Sequence, residues 1–128
     1  MRRTSLTVAL IVVLSLPAFG GYIENYAGWR GLSAEQKSGY VMGAYDGGLI
    51  TFSVNDPYGE ANSRGISSCV RQSKLDSGML VQLVETNYAQ KPDSWALPPS
   101  AVLSSGLFAI CKTHINDSRR AKGLDLLK

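Results

Sequence analysis

Apolar side chains recur every three to four residues in three stretches of the chain, a spacing typical of helices that bury one face. The first stretch follows Ser33, a good N-cap residue with Gln36 three positions on. Its apolar stripe consists of Tyr40, Ala44, Gly48 and Phe52, flanked by Val41, Tyr45 and Leu49. This pattern predicts a first helix directly after Ser33.

The second stretch predicts a helix that starts near Asp76 or Ser77 and ends before Pro92, because proline cannot continue a helix. Its apolar face carries Leu80, Leu83, Val84 and Tyr88.

The third stretch follows Pro98 and Pro99 and continues to Cys111. It is apolar nearly all round, so we expect this helix at the centre of the fold. Its apolar residues are Val102, Leu103, Leu107, Phe108 and Ile110. No segment alternates convincingly between apolar and polar positions, so the chain is predicted to be all-α, a small bundle of three to five helices.

Glycine recurs every fourth residue in the first helix, at Gly39, Gly43 and Gly47, and so falls on one face. Each glycine inside a helix costs about 0.5–1 kcal/mol relative to alanine. We therefore expect another backbone to approach this glycine face closely. The alternative is that the helix ends at Gly47 and Gly48.

The N-terminus has the pattern of a secretory signal peptide. Arg2 and Arg3 precede an apolar run over residues 6–16, and Pro17 then leads to the small-residue site that ends at Gly20. The run has about 11 residues, whereas a membrane-spanning helix needs about 20. We expect residues 1–20 to be cleaved during export, leaving one domain over residues 21–128 and no membrane insertion; an uncleaved anchor is the alternative.

Cleavage changes the charge balance, because Arg2 and Arg3 leave with the signal peptide. The full chain has 13 Lys and Arg, 10 Asp and Glu and a net charge of +3, which falls to about +1 in the mature form. The basic character of the precursor is therefore no evidence for a nucleic acid or an anionic membrane as partner.

Cys69 and Cys111 are the only cysteines, and in an exported chain two cysteines most often pair. A disulfide between them would close a loop of about 43 residues and contribute roughly 4 kcal/mol in the chain-entropy model. A redox-active or metal-bound pair is disfavoured, because the spacing is not CxxC and no second ligand cluster exists.

Two segments between the helices are predicted to be loops. Residues 55–65 are rich in turn-forming residues and lack apolar periodicity, which indicates an exposed loop that is either a binding element or a connector. Residues 91–99 contain Trp95, which we expect to cover the core rather than to lie on the surface as an anchor.

The sequence offers no motif for catalysis, for a metal or for a cofactor, and we predict none of the three. His114 is the sole histidine, and no nucleophile or carboxylate motif points to it. It is expected to be structural or to face solvent.

Trp29 stands ahead of the predicted tyrosine- and glycine-rich helix over residues 39–47, and a variable segment then leads to Cys69. The second half has further apolar positions and closes with a cysteine. These positions are Leu80, Leu83, Val84, Tyr88, Pro92, Leu103, Leu107, Phe108 and Cys111. This arrangement resembles the Tai family of type VI secretion amidase immunity proteins.

The resemblance implies a small periplasmic helical protein, often a homodimer, that binds a peptidoglycan amidase effector and blocks its active-site groove. In that role we assign partner contact to the predicted loop on the ground of its exposure. The candidate residues are Asn55, Asp56, Tyr58, Glu60 and Arg64.

Other functions and one further segment remain open at this level. The chain could instead be an acid-stress chaperone of the HdeA type, also small, helical and held by one disulfide, or an envelope-binding protein of unknown partner. The segment after Cys111, basic with apolar residues up to Leu127, is either an extra amphipathic helix or a frayed end.

Overall fold

The computed structural model describes residues 22–49 and 55–128, and these residues form helices and connecting turns without any strand. The α-helices are α1 (Tyr26–Arg30), α2 (Ala34–Ala44), α3 (Pro57–Gln72), α4 (Ser77–Gln90), α5 (Pro99–Ile110) and α6 (Lys112–Ala121). A π-helical turn (Tyr45–Leu49) follows α2, and a 3-10 helix (Pro92–Ala96) follows α4. The predicted all-α fold is confirmed, with six α-helices among the described residues where three to five were predicted. The predicted signal peptide and Phe52 lie outside the described residues.

Local capping sets the beginnings of the predicted helices. At α2 the Ser33 hydroxyl accepts the Gln36 backbone N–H at 3.2 Å, and the Gln36 side-chain oxygen accepts the Ser33 N–H at 2.8 Å. At α4 the Asp76 carboxylate accepts the Met79 N–H at 2.8 Å. Each cap satisfies backbone donors that lack a partner within the helix. The predicted starts of these helices are confirmed, as is the end of α4 before Pro92.

Each of the longer helices contributes one face to the core. Its largest fully buried side chains include Trp29, Val41, Ile66, Leu80, Val84, Tyr88, Leu103, Leu107 and Ile115. Helix α5 contributes to it as expected, although Ile110 near its end is 52% exposed. The apolar surface that these residues remove from water is the main force that holds the helices together.

A polar cluster ties α1, α2 and α4 together beside the core. The Trp29 indole N–H donates to the Glu85 carboxylate at 3.1 Å, and the Lys37 ammonium donates to the same oxygen at 2.7 Å. The Lys37 ammonium also lies 5.3 Å from the centre of a Trp29 ring. The polar edge of a fully buried tryptophan is thus satisfied.

Within the described residues of this chain, no backbone approaches the glycine face closely, so the prediction fails for packing against them. A Cβ placed on Gly39, Gly43 or Gly47 would meet no described atom within 4 Å. The α-helical geometry ends at Ala44 and passes into the π-helical turn, which contains Gly47 and Gly48. The three glycines lie on the exposed side of this element, because Val41 supplies its buried contact.

The prediction of a loop over residues 55–65 is also wrong, because α3 runs from Pro57 to Gln72. The Asp56 carboxylate accepts the Gly59 N–H at 2.8 Å, and Pro57 occupies the first helical position, where its missing N–H costs nothing. The turn-forming residues at the start of the segment are therefore a cap and a first turn. Ala61 and Gly65 then lie on the buried side of the helix.

Helix α3 packs against α6 at very short range. The disulfide joins Cys69 on α3 to Cys111 just before α6, with Cα atoms 5.5 Å apart, so the predicted bridge is confirmed. One turn along each helix, a Cβ on Gly65 would lie 2.7 Å from the Ile115 nitrogen. The close approach of two backbones occurs here, and the segment after Cys111 is an ordered helix.

The prediction that Trp95 covers the core is wrong as well, because 49% of this residue is exposed. The ring of Tyr26 occupies the inner position, with its centre 4.7 Å from that of Tyr88 and 5.4 Å from that of Trp95. Trp95 therefore lies on the solvent side of Tyr26, and Tyr26 is the residue that packs against the buried Tyr88.

Candidate functional site

The residues assigned to partner contact lie at the beginning of α3 rather than on a loop. Asn55 and Asp56 precede the helix, and the other three lie within its first two turns. Asn55, Asp56, Tyr58 and Arg64 are exposed, and Glu60 is half-buried. We call these five residues the α3 surface.

Tyr58 is held in place from the neighbouring helix. The residue is 39% exposed, and the Arg119 guanidinium carbon lies 5.1 Å from the centre of its ring. Arg119 is itself fixed, because its Nε donates to the Asn62 side-chain oxygen at 2.8 Å and its Nη1 donates to the Asp125 carbonyl at 3.1 Å. The aromatic ring is therefore presented by a fixed cation and not by a flexible loop.

Glu60 is the charged centre of the α3 surface. One carboxylate oxygen accepts a hydrogen bond from Arg64 Nε at 2.9 Å, and the other accepts one from the ammonium of Lys122, the residue directly after α6. The hydrogen bond from Lys122, assisted by the one from Arg64, lowers the pKa of Glu60. The carboxylate is therefore ionised at neutral pH and links α3 to the end of α6.

The charge pattern of the α3 surface follows from these contacts. Arg64 is bound to Glu60 through the Nε and Nη2 edge of its guanidinium, yet 68% of its side chain remains exposed. Arg64 can therefore donate further hydrogen bonds to an acidic partner, which a guanidinium does well in a planar arrangement.

His114 lies half-buried on α6, next to the turn that packs against Gly65. Across residues 22–49 and 55–128, no three His, Cys, Asp or Glu side chains lie close enough together to hold a metal ion. In the same ranges no helix has the length and apolar character needed to cross a membrane.

A second surface feature was missed at the sequence level because Trp95 was assigned to the core. Trp95 and Tyr26 line a cleft between α1 and the 3-10 helix, together with Arg30. The polar neighbours of Trp95, Asp93 and Ser94, were the signal that could have placed it at the surface.

Comparison with models of known protein families, with curated proteins and with solved structures returns no match for this chain.

Proposed function

We propose that this protein is a periplasmic immunity protein that binds a type VI secreted peptidoglycan amidase and blocks its active-site groove. Such an inhibitor acts by occupying the groove and needs no chemical step of its own. The family assignment behind this proposal rests on the residue pattern described above.

Several of the positions that carry the family resemblance belong to the core. Trp29, Leu80, Val84, Leu103 and Cys111 are each no more than 2% exposed. Positions of this kind support a shared helical scaffold, whereas recognition of a particular effector depends on surface residues. The α3 surface is our candidate for that contact.

The observation that carries the proposal is that the α3 surface is ordered before any partner binds. Tyr58 is held by Arg119, and the Glu60 carboxylate is held by Lys122 and Arg64. Side chains fixed in this way lose less conformational entropy on association. Tyrosine and arginine are also the residue types that most often dominate the binding free energy of protein interfaces.

The test is a pull-down with the exported chain, its disulfide intact, from periplasmic extract and from type VI secreted material. Any peptidoglycan amidase recovered is then assayed on purified cell-wall sacculi with increasing amounts of the protein. We expect stoichiometric inhibition by the wild type. A variant with Tyr58, Glu60 and Arg64 all replaced by alanine should bind at least about 100-fold more weakly, because residues at the centre of an interface carry most of its binding free energy.

Arg71→Ala is the matched control, because Arg71 is an exposed arginine near the other end of α3. Its affinity should stay within about twofold of the wild type, as expected for a residue outside the interface. Unchanged affinity of the triple variant would remove the α3 surface from the proposal. Recovery of no amidase, together with protection of unfolded clients at pH 2 to 3, would replace immunity by an acid-chaperone function.

A further inference from the structure

A cleft of about 460 Å³ lies between α1 and the 3-10 helix. None of the residues that line it belongs to the α3 surface. We call it the aromatic cleft. Its walls are Asn25, Tyr26, Ala27, Arg30, Trp95 and Ala96.

Trp95 is held by contacts with Tyr88 and Tyr26, while about half of the residue is exposed to solvent. Its indole N–H donates to the Tyr88 carbonyl oxygen at 2.8 Å, and its ring stacks on Tyr26. Tyr88 is fully buried, and its hydroxyl donates to the Leu97 carbonyl at 2.7 Å on the far side of the 3-10 helix. A tryptophan anchored in this way, with half its surface exposed, requires little further ordering when a partner covers it.

Arg30 supplies the charge of the aromatic cleft. Its guanidinium carbon lies 5.7 Å from the centre of the Tyr26 ring. Among the described residues no carboxylate pairs with Arg30 within 4.0 Å, and no acidic side chain lines the cleft. An incoming carboxylate would therefore meet an available guanidinium beside two aromatic rings, a setting in which a charged hydrogen bond is strong.

Asn25 adds directional polarity at the same place. Its side-chain oxygen accepts the Gly28 N–H at 3.1 Å and so fixes the carboxamide at the start of α1. The carboxamide NH₂ group takes no part in this cap and can donate to an acceptor in the cleft.

We propose that the aromatic cleft binds a segment of a protein partner in which an aromatic or large apolar side chain stands next to a carboxylate. The apolar side chain would cover Trp95, and the carboxylate would pair with Arg30. Tryptophan, tyrosine and arginine are the residue types found most often at the energetic centre of protein interfaces, and all three meet here. This inference rests on the proposed function, since the amidase is the partner in question, and it adds a second contact to the α3 surface.

The first experiment measures binding of the amidase to cleft variants of the full exported chain. Arg30→Glu reverses the only charge among the described residues that line the cleft and should weaken binding about 100-fold, and Trp95→Ala should weaken it at least tenfold. Trp95→Phe keeps an aromatic face and should give an intermediate loss. The matched control is Arg71→Glu, which reverses an exposed arginine on α3 that likewise has no ion pair among the described residues.

Melting temperatures of all variants are measured alongside, and Trp95→Phe and Arg30→Glu alter side chains that are largely outside the core. An amidase that binds Arg30→Glu and Trp95→Ala as tightly as the wild type would overturn the cleft proposal and leave the immunity function standing. Equal losses in Arg71→Glu and Arg30→Glu would also overturn it, because the effect would then be one of general charge.

The second experiment tests the cleft proposal if no amidase binds the wild type. The protein has two tryptophans, and Trp29 is fully buried, so changes at the Trp95 indole N–H can be followed separately by NMR. The probe is the capped dipeptide acetyl-Asp-Phe-amide, compared with acetyl-Asn-Phe-amide. A shift with the Asp probe that the Asn probe and the Arg30→Glu variant both lack would support the cleft while rejecting the amidase.

Equal shifts with both dipeptides, or none with either, would overturn the cleft proposal in that case. A shift produced by soluble glycan fragments of peptidoglycan, and by neither dipeptide, would also overturn it by assigning the cleft to a saccharide.

Discussion

Replacing Gly65 by alanine adds one methyl group at the point where α3 and α6 lie closest. The new Cβ would stand 2.7 Å from the Ile115 nitrogen and 2.9 Å from the His114 carbonyl carbon, and the Ile115 Cα is nearer still. Comfortable contact between heavy atoms is about 3.5–4.0 Å. All three neighbours are backbone atoms, so no side-chain rotation relieves the overlap and the two helices must move apart by about 1 Å.

The loss of unfolding free energy depends on how far α3 and α6 can move apart to relieve the overlap. Ile115 is fully buried, and the disulfide fixes the same two helices one turn away. Overpacking of a rigid site costs up to about 3 kcal/mol. Alanine is the better helix former by about 1 kcal/mol, which offsets part of this cost. We therefore expect Gly65→Ala to lose about 2 kcal/mol of unfolding free energy and about 10 °C in Tm.

The assay is urea unfolding followed by far-UV circular dichroism, with Gly43→Ala as the matched control. Gly43 is also a helical glycine, but a Cβ there would meet no described atom within 4 Å. The control should gain about 0.5–1 kcal/mol, because alanine lowers the entropy cost of forming the helix. If Gly65→Ala were stabilised like the control, the close approach of α3 and α6 would be refuted.

Two further predictions concern the links between α3 and α6. Replacing Cys69 and Cys111 by serine removes the covalent link between residues 42 positions apart and should lower the unfolding free energy by roughly 4 kcal/mol. The measurement is urea titration of this variant against the oxidised wild type. The second is a pH dependence: because Lys122 and Arg64 lower the pKa of Glu60 in the folded state, its contribution is complete above about pH 4.5 and is lost as the pH falls through the lowered pKa. Tm of Glu60→Gln should therefore change less than that of the wild type between pH 6 and pH 2, and parallel curves would contradict the Glu60 contacts.

Several elements were predictable because their determinants lie within one turn of the chain. Ser33 with Gln36 and Asp76 with Met79 define helix starts through hydrogen bonds three residues apart. Pro99 defines one because its fixed backbone angle suits the first helical position. The same short-range logic was available for Asp56 and Pro57, where a cap and a first helical residue were interpreted as turn formers. The error carried over to the candidate site, which is a helix surface and not a loop.

The sequence by itself determined the all-α character of the chain, the caps of α2 and α4, and the pairing of its two cysteines, because apolar periodicity, capping and a single cysteine pair are local or unique features. Only the tertiary structure decided which glycine meets another backbone, since Gly43 and Gly65 are both helical glycines and only Gly65 has a distant backbone within contact distance of its Cβ position. It also decided that Trp95 stays outside, because Tyr26 from another helix occupies the space beside Tyr88. Burial depends on which distant elements fill a given volume of the core, so it is decided by the packing of several segments and not by the sequence of any one of them.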